Sequence, residues 1–230
     1  MTAPVGDRPS VSFGETDWFE WAQRNARKLG YGLGAVALAM LIVLYVSVSG
    51  RRKEAAASQR LTQARGAAES GNLPLAALEL SQITEQFGGT KAAAEAAILL
   101  AQVRLVQGQV DIAVTSLREF VASRQPDYAR ASAYGLLGGG LETQGRLREA
   151  GEAYQRAAEL ARLDFQKAGY LLDAGRVLAA AGDSSAARQV LTDLLRRFGE
   201  LDQAAEARVR LAELGGEVPE PAPGRTERRR

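Results

Sequence analysis

A glycine recurs every 37 residues along most of this chain. Gly71, Gly108, Gly145 and Gly182 keep this constant separation, although only 24 of the 230 residues are glycine. Four glycines at one fixed spacing occur by chance on the order of once in a thousand cases, so the spacing indicates an internal repeat. A repeat of this length cannot bury its apolar face alone, and we therefore expect the units to stack into an array.

The residues around each of these marker glycines repeat with it. The position five residues later is Ala in all four units, and the position seven residues earlier is Ala or Gly. Apolar residues recur at helical spacing on both sides of the glycine, which predicts an antiparallel helix pair in each unit. The marker glycine then ends the first helix, where a left-handed backbone is often required. The small residues fall where the two helices cross, so that their axes can approach closely.

Helix-breaking residues separate the predicted units. Residues 88–89 are both glycine and end the first unit, Pro126 ends the second and Gly199 ends the fourth. Residues 201–214 have helical periodicity but no second helix, and we expect them to cap the last apolar face of the array. Residues 215–230 are rich in Pro and Arg, which predicts a disordered tail.

The third unit carries the pattern of a known repeat family. An aromatic residue, two leucines and a glycine precede its marker, and alanines and an aromatic residue follow it: Tyr134, Leu137, Gly138, Leu141, Gly145, Ala150, Tyr154 and Ala157. This pattern resembles the tetratricopeptide repeat, although the usual period of that family is 34 residues. The resemblance covers residues 55–214 and implies an all-α solenoid of about four helix pairs with a capping helix, which acts as an interaction scaffold.

By the same resemblance, the first helices of the units line a groove that binds other proteins. The residues expected to face it are Glu95, Ile98, Gln102, Leu105, Val106, Ser132, Gly135, Gly139, Glu142, Thr143, Leu172, Arg176 and Ala179. The alternative is that these residues only stack within the array or face water. Some members of the family clamp a peptide carboxylate with paired Lys and Asn, and the matching positions here lack those residue types.

The stretch YGLLGGGLETQG, residues 134–145, has the composition of a phosphate-binding loop. Such a loop needs a preceding strand and often a following Lys-Ser/Thr, and neither is present. The repeat register instead places Gly135, Gly138, Gly139 and Gly140 inside a helix, at a cost of roughly 3 to 4 kcal/mol relative to Ala. Because Gly135 and Gly139 share a face, we expect a bare strip that another helix or a peptide backbone can approach. The register does not explain Gly140.

Residues 29–50 form a run of 22 positions without a charge. As a helix, this run would cover roughly 30 Å, the thickness of the hydrocarbon core of a bilayer. We therefore predict a single transmembrane helix that precedes a repeat domain over residues 51–214. A cleaved signal peptide is the alternative, because Ser47 and Ser49 have the spacing of a cleavage site, but the run is longer than a signal core.

Residues 1–28 contain both tryptophans, Trp18 and Trp21. Indole rings prefer the membrane boundary, so we expect a short amphipathic helix at the interface, the alternative being a helix that only leads into the span. Gly30 and Gly34 form a G-x-x-x-G pair, which either lets two membrane helices approach or is merely tolerated.

The organisation of the whole chain resembles the bacterial ancillary Sec translocon subunit family. The segment WFEWAQRNARKL, one apolar run and about 160 residues of helical repeats carry this resemblance. It implies a single-pass protein of the inner membrane, with a periplasmic repeat domain that contacts translocon or chaperone components. Lys and Arg are more frequent directly after residues 29–50 than directly before them, which by the positive-inside rule predicts a cytoplasmic repeat domain. This rule weakens for long domains, so the orientation stays open. The alternative is a scaffold of another envelope complex, for cell-wall or outer-membrane assembly.

The composition lowers the prospect of catalysis. The chain has no Cys and no His, which excludes thiolate chemistry and the commonest general base and metal ligand. Glu149 and Glu152 are three residues apart on a predicted helix, a pattern typical of a solvated face. We predict no enzyme activity, catalytic residue, cofactor or metal, and a formal net charge of +2 gives no reason to expect nucleic acid. A nucleotide-binding protein or enzyme that uses the glycine-rich stretch is the less favoured alternative, and the oligomeric state is not determined.

Overall fold

The computed structural model describes residues 26–219, and the chain divides into two compact units at residues 1–52 and 53–230. The described residues contain nine helices and no strand, which confirms the all-α class. The helices are α1 (Ala26–Glu69), α2 (Leu73–Gln86), α3 (Lys91–Val106), α4 (Val110–Ala122), α5 (Asp127–Thr143), α6 (Leu147–Leu160), α7 (Asp164–Ala180), α8 (Ser184–Phe198) and α9 (Gln203–Glu213).

The described part of the first unit is helical and exposes large apolar side chains. These are Tyr31, Leu38, Met40, Leu41, Ile42, Val43, Leu44 and Val48. Within residues 26–219, no helix has both the length and the apolar character needed to cross a membrane. The predicted span over residues 29–50 is therefore not supported here. The predicted interfacial helix with Trp18 and Trp21 lies outside the described residues, as does residue 220 onward of the predicted tail.

The second unit consists of stacked helix pairs. The end of α1 packs with α2 through Leu61 and Leu80 in a shared core, and the pairs α3/α4, α5/α6 and α7/α8 follow. The final helix α9 contributes Leu211, fully buried, to the same apolar cluster as α7 and α8. The predicted solenoid of four pairs and a capping helix is thus confirmed.

The marker glycines end the first helix of each pair as predicted. Their φ angles are 80° at Gly71, 76° at Gly108, 73° at Gly145 and 77° at Gly182. In the third pair the N–H of Gly145 donates to the carbonyl of Glu142, and the N–H of Arg146 donates to that of Leu141, both at 2.9 Å. This arrangement satisfies carbonyls at the helix end and reverses the chain without strain, because glycine tolerates positive φ.

A carboxylate on α1 caps the neighbouring α3. The two oxygens of Glu54 accept hydrogen bonds from the backbone N–H groups of Lys91 at 2.8 Å and Ala92 at 3.0 Å. The Thr90 hydroxyl accepts a third, from Ala93 at 3.1 Å. A negative charge is favourable at this end of a helix, so Glu54 joins the first repeat to the second through the helix dipole as well as through packing.

Small residues allow the helices of each pair to cross closely. A Cβ added at Gly138 would lie 2.8 Å from the ring of Tyr154, and one added at Gly175 would lie 2.6 Å from Leu191 Cδ2. Leu191 is fully buried. The space beside each glycine is therefore already filled by a side chain of the second helix, and the predicted role of small residues at the crossings is confirmed.

Two glycines of α7 provide a test of this packing. We expect Gly175→Ala to lower the free energy of unfolding by about 1 to 3 kcal/mol, because the added methyl group overpacks the crossing with Leu191. Gly169 is the matched control, since a Cβ there meets nothing within 4 Å. Gly169→Ala should raise stability by about 0.5 to 1 kcal/mol through helix propensity alone. Chemical denaturation measures both, and equal effects of the two substitutions would contradict the crossing.

Candidate partner-binding surface

Two of the predicted groove residues form a direct link between neighbouring pairs. Arg176 of α7 donates two hydrogen bonds to Glu142 of α5, from Nη1 to Oε1 at 2.5 Å and from Nη2 to Oε2 at 2.9 Å. Both side chains are about one-third exposed. Bidentate geometry of this kind fixes orientation as well as charge pairing. The third and fourth pairs are therefore tied together on the surface formed by their first helices.

Residues that were not predicted as part of the surface surround this ion pair. Asp173 Oδ1 lies 3.5 Å from Arg176 Nη2, and the Tyr154 hydroxyl donates to Glu142 Oε2 at 3.5 Å. Asp173 precedes Arg176 by one helical turn, and that spacing is the sequence signal that could have identified it. The three charged groups together carry one net negative charge.

The surroundings shift the ionisation of these groups in different directions. The hydrogen bond from Arg176 lowers the pKa of Glu142, whereas burial raises the pKa of Asp173. The hydrogen bond to Glu142 raises the pKa of Arg176. Burial also raises the pKa of Tyr154 to about 12, so that its hydroxyl stays protonated and able to donate near neutral pH.

The glycine strip of α5 separates into positions with different surroundings. A Cβ at Gly135 would lie 2.5 Å from Tyr170 Cε1 of α7, and one at Gly140 would lie 2.7 Å from Val114 of α4. At Gly139, an added Cβ would meet only the Tyr154 hydroxyl, at an ordinary 3.5 Å. Gly135 and Gly140 are therefore needed for contacts between helices. Gly139 is not, which leaves one bare helical position without an internal reason.

The predicted residues of α3 divide between contacts within the array and open surface. Glu95 Oε2 accepts a hydrogen bond from Arg65 of α1 at 2.6 Å, which ties the first repeat to the second as Glu142 and Arg176 tie the third to the fourth. Gln102 is exposed and Val106 is 69% exposed. These two side chains are available to a partner.

The remaining predicted residues make local or core contacts. The hydroxyl of Ser132 donates to the carbonyl of Tyr128 at 3.3 Å, and that of Thr143 donates to Gly139 at 2.9 Å. Four others are only half-buried: Ile98, Leu105, Leu172 and Ala179. Three of them, Ile98, Leu172 and Ala179, pack against the larger core cluster. These positions shape the surface more than they present functional groups on it.

The glycine-rich stretch does not form a phosphate-binding turn. Residues 134–143 lie within α5 and only the segment from Gln144 to Arg146 forms the turn to α6. In a phosphate-binding loop the backbone N–H groups must point freely at the ligand, whereas within a helix they bond to carbonyls four residues earlier. The arrangement suits contact with a polypeptide rather than a nucleotide.

Comparison with known proteins identifies the repeat. The sequence profile of a family described as tetratricopeptide repeat-like domain matches residues 47–173, more than half of the chain. No curated protein matches the chain in sequence, so the resemblance to the ancillary Sec translocon subunit family rests on sequence organisation alone.

Solved structures share the fold at low sequence identity. One solved structure contains the nearly identical TPR-like repeats of a Podosopora anserina protein described as a kinesin light chain. It aligns with a TM-score of 0.56 and 17% identity, over 68% of this chain and 84% of that one. A variant of those repeats gives a TM-score of 0.55 at the same identity and coverage. A tetratricopeptide repeat protein from Parabacteroides merdae aligns at 0.56 and 12% identity, over 69% of this chain and 60% of that one.

The link between Glu142 and Arg176 predicts a specific acid sensitivity. The folded-state pKa of Glu142 lies below its usual value. The ion pair therefore stabilises the fold fully at pH values above the usual, unfolded-state pKa and loses its effect as the pH falls through the folded-state pKa. Glu142→Gln should therefore lower stability by about 1 kcal/mol or less near pH 7, and the difference from the natural chain should shrink below about pH 4. Chemical denaturation between pH 3 and 7 measures it.

The matched control for that series is Glu152→Gln on α6, an exposed carboxylate with no hydrogen bond or ion pair within the described residues. It changes the same charge without breaking a link between helix pairs. If Glu142→Gln and Glu152→Gln gave the same stability at every pH, the ion pair would have no role in holding the pairs together.

Proposed function

This chain belongs to the tetratricopeptide repeat-like domain family, and we propose that it is a non-catalytic scaffold that binds a partner protein along its first helices. Repeat arrays of this fold generally act as protein interaction scaffolds. The observation that carries the proposal is Gly139, a glycine inside α5 where a Cβ would meet no closer contact than 3.5 Å. A helical glycine costs about 1 kcal/mol relative to Ala. Close approach of a partner backbone supplies the reason that internal packing does not.

The chemistry of the surface favours an extended polypeptide segment. Gln102 is exposed on α3 and offers both donors and an acceptor to a peptide backbone. Val106, 69% exposed, offers an apolar contact one turn further along. Arg176 is already engaged by Glu142 and Asp173, so this cation is not free to clamp a carboxylate. A segment without a strong negative charge fits these groups best.

We further propose that the scaffold serves protein export or envelope assembly at a membrane, with translocon or chaperone components as partners. The support is the sequence organisation before the repeats, above all the uncharged run at residues 29–50. Large apolar side chains such as Leu41 and Ile42 are more than half exposed in the described part of this run. A scaffold of another envelope complex is the alternative, and the identity of the co-purified partners separates the two.

A reporter of membrane topology tests the location. The reporter is fused after Leu214, the residue that follows α9, and the cells are fractionated in parallel. We expect the fusion in the membrane fraction with extracytoplasmic reporter activity, and replacement of Leu41 and Val43 by Arg should release it, because charges at the centre of a span are costly. Cytoplasmic reporter activity would contradict the periplasmic location, and unchanged fractionation of the double-Arg variant would contradict the anchor.

Crosslinking from the surface tests the binding function. A photo-crosslinking amino acid at position 102 should capture a partner protein in cells, and Gly139→Leu should reduce the yield at least fivefold because its side chain fills the bare position. The control is Glu152→Leu on α6, which adds the same side chain to an exposed position on a second helix. Thermal unfolding should show that Gly139→Leu still folds.

Two outcomes of the crosslinking would count against the proposals separately. Equal yields from Gly139→Leu and Glu152→Leu would show that the partner does not bind the first-helix surface, the one formed by α3, α5 and α7. A partner whose capture depends on Gly139 but which belongs to neither the translocon nor a chaperone would keep the scaffold and exclude the export role.

A further inference from the structure

We propose a second binding site, on the last helix pair, that takes an acidic segment of a partner protein. A cavity of about 720 Å³ lies between α8 and the chain that follows α9. Its lining consists of Arg188, Thr192, Arg196, Leu211 and residues 215–219. This site is separate from the first-helix surface, because α8 is the second helix of its pair.

The end of α9 builds the outer wall of this cavity. Gly215 adopts a φ of 67°, and the N–H of Gly216 donates to the carbonyl of Leu211 at 2.9 Å, which turns the chain back. Arg188 Nη1 then donates to the carbonyl of Leu214 at 3.0 Å. The turn is thus fixed by backbone geometry and by one arm of a guanidinium, and it holds residues 217–219 over α8.

Hydrogen-bond donors follow one face of α8 into the cavity. Arg188, Thr192 and Arg196 are spaced four residues apart, so they lie on one side of the helix about 6 Å from one to the next. A second cavity of about 450 Å³ shares these three residues and adds Ser185, Gln189 and Asp193. Both cavities are open to solvent and share this face of α8, and together they form one groove along the helix, called the channel below.

The two arginines of the channel retain unused donors. Over residues 26–219, the side chain of Arg196 makes no hydrogen bond or ion pair, and that of Arg188 makes only its bond to Leu214. Neighbouring arginines are different, since Arg197 pairs with Asp193 at 2.8 Å. Asp193 is thereby neutralised. Glu217, which also lines the larger cavity, is exposed and pairs with neither arginine of the channel.

These groups match carboxylates on an extended chain. The guanidinium group of arginine binds carboxylates with two parallel hydrogen bonds and stays charged at any physiological pH. Arg188 and Arg196 are eight residues apart, about 12 Å along a helix, which an extended peptide spans in three to four residues. The chain's own residues 220–230 are an unsuitable occupant by charge, because they contain four Arg and two Glu.

Peptide binding to the full chain tests the site. The probe is a fluorescein-labelled peptide of nine residues with Glu at every third position and Ser and Gly elsewhere, and the comparison peptide has Gln in place of Glu. We expect saturable binding of the Glu peptide alone, weakening at least threefold between 50 and 300 mM salt because exposed charges are screened. Fluorescence anisotropy measures the affinities.

The matched variants are Arg196→Gln on α8 and Arg148→Gln, which removes an equal charge from an exposed position of α6 outside the channel. Arg196→Gln should weaken binding of the Glu peptide at least tenfold, and Arg148→Gln should change it less than twofold. Equal losses in both variants would assign the binding to general charge and overturn the site. No saturable binding of the Glu peptide, or binding of the Gln peptide with equal affinity, would also overturn it. So would binding of phosphatidylglycerol vesicles that depends on Arg196 without any binding of the peptide.

Discussion

The close crossing of two helices within each pair is the constraint on which the rest of the repeat unit depends. At Gly175 and Gly138 the missing Cβ is replaced by Leu191 and by the ring of Tyr154. Close crossing brings two apolar stripes together over their full length, which a short isolated helix needs in order to be stable in water. The glycine at positive φ ends the first helix and reverses the chain, so that the second helix runs back beside the first. The other faces of each pair are then left to pack against the neighbouring pairs.

Packing between pairs determines which polar groups remain on the first-helix surface. Glu142 and Arg176 are 34 residues apart and meet because α5 and α7 lie side by side. Once they bond, neither is free to hold a charged ligand strongly, and with Asp173 they leave one net negative charge on this part of the surface. Such a surface discriminates among partners mainly through shape and backbone contacts, and the bare position at Gly139 leaves room for such a contact.

The end of the array presents different chemistry from its middle. Along the first helices, Arg65 pairs with Glu95 and Arg176 pairs with Glu142, each across neighbouring helix pairs. Within the described residues, the single helix α9 gives Arg188 and Arg196 no carboxylate partner, and both line the channel beside the turn after α9. Terminal repeats generally need a polar outer face, and here that polar face is positively charged and partly enclosed. One chain thereby offers two surfaces of unlike charge.

The sequence by itself determined the helix pairs, their order and the turns between them. Fixed spacing predicts these features because glycine at positive φ and small residues at crossings are local requirements that only a few residue types satisfy. It also predicted that Glu142, Arg176 and Gly139 share a surface. Only the tertiary structure decided that the first two residues bond to each other. It also decided that Gly135 lies under Tyr170 while Gly139 does not.

The physical reason is that a repeat register specifies the face of a helix on which a residue lies but not the length, rotamer or partner of the side chain opposite. Gly140 has no role in the register, and its explanation is the methyl group of Val114 on another helix. The channel at α8 likewise requires the turn at Gly215 to fold back over Arg188. Contacts between segments distant in sequence depend on how the pairs stack, and that stacking is a property of the assembled core.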